Sequence, residues 1–539
     1  MPFDLFSRRS STTASLESND LATKKAGSIE GGEGIVSTLT GTTDEPFELD
    51  QHKGLGRHLG LWSTTFLITG RIIGTGIFST PSSILNAVGS LGAAMMLWLI
   101  GTILAFCGLY VYLEFAGMFP RSGGEKVYLE AVYKRPKLLI TTLFGINAVV
   151  LGFTASGCIV FASNILVAAG HEVTTWNERG IAVAVILSIT LIHGLAPRAG
   201  VRFMNALAIF KILLLLLVVV SGWVVLAGGI KSIPDPKANF RNGFDGTSHS
   251  AYFWASGLFK VINSFSGWSN ATYVMNEVKR PVRTIRIAGP LGLGLCAVLY
   301  ILANISYFAA VNVHDLKASG VTVASYYFRV VFGKAAQRAL SVFVALSAYG
   351  NVMTVTFAQS RVNQELAKEG LFPFTEFFAS NWPFGSPFAG LIVHLIPSLI
   401  IILGPPAKIA YPFILDVEGY PGQIIALLVV SGLLYLRWKE PDRKRPIKAF
   451  FPAVLFYLIA AVFLLVVPFL RPPGGVGDTP PLPYYLYPIV GIAVFVSGFI
   501  YWAVWRVLLP KIGKFEWEPK EVTLADGTVA TKYVRAKIE

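Results

Sequence analysis

Charge is scarce in this chain. Asp, Glu, Lys and Arg make up only 14% of its 539 residues, while 53% are hydrophobic. Soluble domains carry about 25% charged residues, so an ordinary water-soluble fold is excluded. Cysteine is scarcer still: Cys107, Cys158 and Cys296 all fall in apolar stretches, which excludes an extracellular disulfide framework and leaves packing as their use. Metal-ligand spacing, a Gly-x-Ser-x-Gly turn and a phosphate-binding loop are all missing. Hydrolysis, ATP-driven work and a bound cofactor therefore have no motif to rest on, and the chain reads as a non-enzyme. His193 and His394 lie at or inside apolar segments without a catalytic partner, and read as packing residues rather than general bases.

What the sequence does have is apolar length. Mean hydropathy is +0.59, and stretches of about 20 apolar residues, enough to cross a bilayer, recur from 61 to 508. Twelve spans are expected, at 61–88, 91–119, 138–169, 179–196, 202–228, 253–278, 287–311, 336–360, 388–404, 412–436, 449–470 and 486–508. The class is all-α and polytopic. The net charge of +14 is not a nucleic-acid footprint, because the basic residues sit in short loops. Arg121, Lys126, Lys134, Arg135, Lys137, Arg198, Arg202, Lys279, Arg280, Arg283, Arg286 and the run 437–448 fall on one side. The positive-inside rule then puts both termini in the cytoplasm. Residues 10–45 are rich in Ser, Thr, Gly and Glu and have no aromatic residue. Residues 1–56 are therefore expected to be a disordered tail, with no apolar segment near Met1 to act as a cleaved signal.

Two of the spans are interrupted. The first carries Gly70-Arg71-Ile72-Ile73-Gly74-Thr75-Gly76, and the sixth carries Asn263-Ser264-Phe265-Ser266-Gly267. In hydrocarbon every backbone polar group needs a partner, so such breaks are tolerated where freed backbone lines a cavity or binds something. Breaks five spans apart suggest an inverted repeat whose half-helices meet near the midplane. Half-helix N-termini attract an anion and unwound carbonyls hold a cation, so an α-amino acid zwitterion fits the pair.

Three stretches together resemble the amino acid-polyamine-organocation superfamily, in its L-type branch. They are Ile73-Gly74-Thr75-Gly76-Ile77-Phe78, the run 112–125 with Glu114 and Pro120-Arg121-Ser122-Gly123-Gly124-Glu125, and Gly267-Trp268 followed by Asn276-Glu277 and Arg280-Pro281. Arg71, Gly350-Asn351 and the run 361–370 are most similar to the fungal high-affinity methionine permeases. The resemblance covers about 57–440. It implies a core of ten helices in a 5+5 inverted repeat (57–440), two further helices (441–510), a cytoplasmic tail (511–539) and alternating access.

By that resemblance the substrate carboxylate sits on the amides around Ile73, Gly74, Thr75 and Gly76. The ammonium sits on carbonyls near Ile72 and in 265–267, with Asn263, Phe265, Ser266 and Gly267 completing the site. Asn263 or Phe265 takes the place of the aromatic gate of L-type relatives. The implied activity is import of neutral amino acids, methionine first, through the plasma membrane with a proton. The alternatives are sodium-independent exchange of broader specificity and a non-transporting amino-acid sensor. L-type transporters of animals are tethered to a heavy subunit by a cysteine after the third span. Residues 170–177 have none, so no such partner is expected.

Three charges complete the reading. Lys211 lies about ten residues into the fifth span, and an intramembrane ionisable residue is a functional candidate by default. In sodium-independent relatives the matching lysine replaces the cation. It either couples protons or acts as a static tether. Arg71 either forms a gating salt bridge, with Glu114 or Glu277 as partner, or contacts loop carbonyls. Lys260 is expected to reach the outer interface.

Overall fold

The computed structural model describes residues 59–404, 407–477, 479–524 and 529–537. The expected tail 1–56 therefore lies wholly outside the described residues. The first span is three helices, α1 (Leu61–Ile72), α2 (Gly76–Ser79) and α3 (Pro81–Val88). The chain unwinds at 73–75 and kinks again at Thr80, where Pro81 opens α3 at the one helical position that needs no N–H donor. α4 (Leu91–Met118), α5 (Glu125–Val132), α6 (Leu139–Val150), α7 (Ala155–Ala169), α8 (Thr175–Leu195) and α9 (Pro197–Leu226) follow. The third span is thus not continuous as expected: residues 151–154 interrupt it between α6 and α7.

After the short α10 (Ala238–Arg241), α11 (Ala251–Ser264) ends at the second break, and the chain continues as a 3-10 stretch, Trp268–Glu277, rather than as the α-helix expected to 278. Asn and Ser compete with helical hydrogen bonds there, and Gly267 takes φ +118°, which only glycine adopts readily. Then come α12 (Pro281–Ala310), α13 (Val313–Ala318), α14 (Val323–Phe332), α15 (Lys334–Lys368), α16 (Thr375–Ala379), α17 (Phe388–Leu403), α18 (Ala407–Lys439), α19 (Phe451–Val466), α20 (Leu486–Ala503) and α21 (Leu509–Gly513). Among the described residues nine helices are long and apolar enough to cross a membrane, with α6 and α7 counted together. The broken first and sixth segments and the 16-residue α17 stand outside that count. The chain is a multi-pass integral membrane protein.

The end of the chain departs from an all-helical reading. β1 (Phe515–Thr523) and β2 (Val529–Lys537) pair antiparallel, Phe515 opposite Lys537. The hairpin rests on the ends of α15 and α16 through Lys532 Nζ to Glu376 Oε1 at 2.8 Å. Trp517 Nε1 also donates to the Trp505 carbonyl at 2.8 Å.

Candidate functional site

α1, α11 and α12 bring the two breaks together. The Tyr300 hydroxyl on α12 reaches the Ile72 carbonyl at 2.7 Å and the Ser264 carbonyl at 3.2 Å, so one donor serves acceptors freed by both breaks. Thr80 and Ser264 hydroxyls meet at 3.0 Å. A Cβ on Gly76 would sit 2.8 Å from the Ser264 Cα, and one on Gly267 would sit 2.4 Å from the Arg71 Cγ. These glycines are what lets the segments touch.

Beside the breaks lies a cavity of about 260 Å³. Its polar wall includes Arg71, Asn263, Asn351, Gln359 and Glu418, with Gly74, Thr75 and Gly76 along one edge. Leu151, Phe153, Val352 and Val355 form an apolar side. Among the described residues the amides of Gly74, Thr75 and Gly76 donate to no backbone carbonyl. A row of N–H groups released from backbone bonding on a cavity wall suits a carboxylate, with the Tyr300 hydroxyl beside the Gly74 amide.

The structure brings most of the sequence candidates to this place, though not all in the expected manner. Ile72, Gly74, Thr75, Gly76, Asn263 and Ser266 line the cavity. Ile73 is buried in the hydrophobic core. Phe265 turns its ring away, edge-on to Trp98 at 5.9 Å and tilted against Tyr300 at 5.1 Å. Asn263 therefore faces the space where an aromatic gate was considered, and its Nδ2 donates to Glu418 Oε2 at 3.1 Å. Gly267 lies against Arg71 rather than on the cavity wall.

Lys211 is buried, and its Nζ donates to the Gly70 carbonyl at 3.4 Å, just before the first break. Arg71 Nη1 donates to Asn351 Oδ1 at 3.5 Å, while its Nε is buried without a hydrogen-bond partner. Glu114 is not its partner. That carboxylate accepts from Arg437 Nε at 3.0 Å and from the Ala449 amide at 2.7 Å, because α4 meets the C-terminal end of α18 there. The Glu277 side chain lies outside the described residues. Lys260 does not reach an interface either: it is buried, with Nζ 3.0 Å from Asp416 Oδ1 and 2.6 Å from Ser256 Oγ. Once buried at that depth, the ammonium needs a partner, and Asp416 and Ser256 supply it.

His193 Nε2 meets the Met353 carbonyl at 3.1 Å. His394 Nε2 lies 3.2 Å from Thr154 Oγ1 and 3.1 Å from Thr356 Oγ1. Both rings bridge helices. Cys107, Cys158 and Cys296 are buried and free.

Sequence reasoning picked out Asn351 only through the family resemblance and gave no site role to it, to Gln359, to Glu418 or to the loop 151–154. For Glu418 the signal was present: two carboxylates, Asp416 and Glu418, inside one apolar segment.

Interrupted helices packed around a polar cavity are the build of a membrane transporter. The model of the amino acid permease family matches residues 59–495, and the chain belongs to that family. It is 41% identical to the high-affinity methionine permease of Saccharomyces cerevisiae over 485 residues, covering 89% of this chain and 84% of that one. It is 33% identical to the low-affinity methionine permease of the same yeast, covering 89% and 88%. More distantly, it is 26% identical to the human b(0,+)-type amino acid transporter 1, covering 78% and 84%.

Proposed function

We propose that this chain imports neutral L-amino acids, methionine foremost, across the plasma membrane by alternating access, driven by the inward proton gradient. Both termini lie in the cytoplasm, and 57–440 form a 5+5 inverted-repeat core with two further helices at 441–510. The observation that carries the reading is the run of amides at Gly74, Thr75 and Gly76, released from backbone hydrogen bonding beside a cavity with one apolar wall. They take the α-carboxylate. The ammonium takes carbonyls at Ile72 and in 265–267. Tyr300 occupies one lone pair of the Ile72 oxygen and leaves the second. A thioether side chain lies against Phe153, Val352 and Val355. Lys211 supplies a positive charge at the first break in place of a metal ion, and Arg71, packed on Gly267, joins the two breaks as one gate. The names of the two yeast relatives support methionine over other neutral amino acids.

Purified protein in liposomes, given labelled methionine with the outside one pH unit more acidic, tests this. Methionine should accumulate above equilibrium, collapse on adding a protonophore, and be displaced best by unlabelled methionine in a panel with cysteine and leucine. Uptake only into vesicles preloaded with an amino acid would make the chain an exchanger. Binding without any flux would make it a sensor.

A further inference from the structure

The two carboxylates of α18 are in different circumstances. Two residues apart on a helix, Asp416 and Glu418 point about 200° apart. Asp416 is neutralised by Lys260 on α11. Glu418 faces the cavity, where Asn263 is its hydrogen-bond donor, and among the described residues no Lys or Arg nitrogen lies within ion-pair distance of it. Arg71 lines the same cavity, feels the Glu418 charge without closing a salt bridge, and keeps an unpartnered buried Nε. The other groups around Glu418 are Tyr411, two turns back on α18, and Lys211, which lies beyond Arg71 and points at the Gly70 carbonyl. The cavity thus holds one cation and one anion, each tied to an asparagine and left apart.

We infer that Glu418 carries the proton that drives transport, with Arg71 as its counter-ion on the empty return. The inference rests on the transport reading above. When the cavity faces the acidic side, the Glu418 carboxylate takes up one proton. The site then holds a net positive charge from Arg71, and the zwitterion enters with its carboxylate toward it. At the cytoplasmic side substrate and proton leave together. The restored carboxylate balances Arg71 as the empty carrier returns, and each cycle moves one proton and one positive charge inward. Lys211 has no part in the proton step of this scheme, since it faces backbone rather than the cavity.

The test separates drive from exchange, using liposomes, labelled methionine and the variant Glu418→Gln, which keeps an acceptor for Asn263. With one proton per substrate, one pH unit supports up to about tenfold accumulation in the wild type. The variant should fall to a ratio of about one and lose its pH dependence, while methionine-for-methionine counterflow continues. Glu418→Asp should restore accumulation with a displaced pH profile. PH-driven accumulation surviving in Glu418→Gln overturns the assignment, as does its loss in Lys211→Ala alone. If Glu418→Gln is inactive in both assays, Glu418→Asp decides: a displaced profile supports the assignment, and an unchanged profile or no activity overturns it. A wild type that never accumulates methionine fails the transport reading instead.

Discussion

At the scale of single residues, Gly267 and Glu125 each make a position readable. The left-handed backbone of Gly267 and its contact with Arg71 leave no room for a methyl group. Gly267→Ala should cost at least about 1–2 kcal/mol from backbone strain alone, seen as a lower melting temperature in detergent, and should reduce uptake. An unchanged melting point would remove the close approach from the account. Glu125 opens α5 and accepts from the Tyr273 hydroxyl. Burial pushes its carboxyl from 4.5 up to about 7. The folded protein therefore holds this proton more tightly than the unfolded chain, and that stability is lost as pH rises from the ordinary value through 7. Glu125→Gln should match the wild type in acid and become the more stable of the two above neutrality. A difference that does not change with pH would contradict this. The identity of both residues was plain in the sequence, but their neighbours were not: Arg71 and Tyr273 come from distant segments.

At the scale of elements, α11 and α18 are joined by the buried Lys260 and Asp416 pair, and a Cβ on Gly419 would meet the Phe259 ring at 2.8 Å. Lys260→Met alone leaves a buried carboxylate without its cation, at a cost of about 3–5 kcal/mol. Adding Asp416→Leu should recover most of that loss, since buried pairs barely outweigh their desolvation. Thermal unfolding of the two single variants and the double variant reads the coupling, and additive losses would deny it. The first and sixth breaks were legible because glycine and polar residues cluster in them. The third was not: 151–154 has a single Gly152 among apolar neighbours, and the stretch Leu139–Ala169 still passes as one apolar span. Its interruption follows from packing, with Gln359 of α15 donating to the Ala148 carbonyl at 2.6 Å. The turn of Phe265 toward Trp98 was equally hidden, since sequence gives a residue's place in a break but not the face it presents.

For the whole molecule, composition alone gave the class, and the spacing of basic loops gave an orientation. Cysteine labelling tests that orientation directly, because all three native cysteines are buried. An impermeant maleimide added to intact cells should label Asp235→Cys and should reach Glu376→Cys only after lysis. The reverse pattern would invert the topology. The C-terminal hairpin was passed over, although Asp526-Gly527 between alternating residues is a hairpin signal. A short tail after the last span reads first as solvated chain. The Tyr300 hydroxyl, shared between the ends of α1 and α11, carries a consequence for motion. The two half-helices are yoked to a common post on α12, so neither can swing alone without surrendering a hydrogen bond inside a dry core. If the chain transports as proposed, its empty and loaded forms are expected to differ by a joint tilt of the pair, with α12 as the pivot.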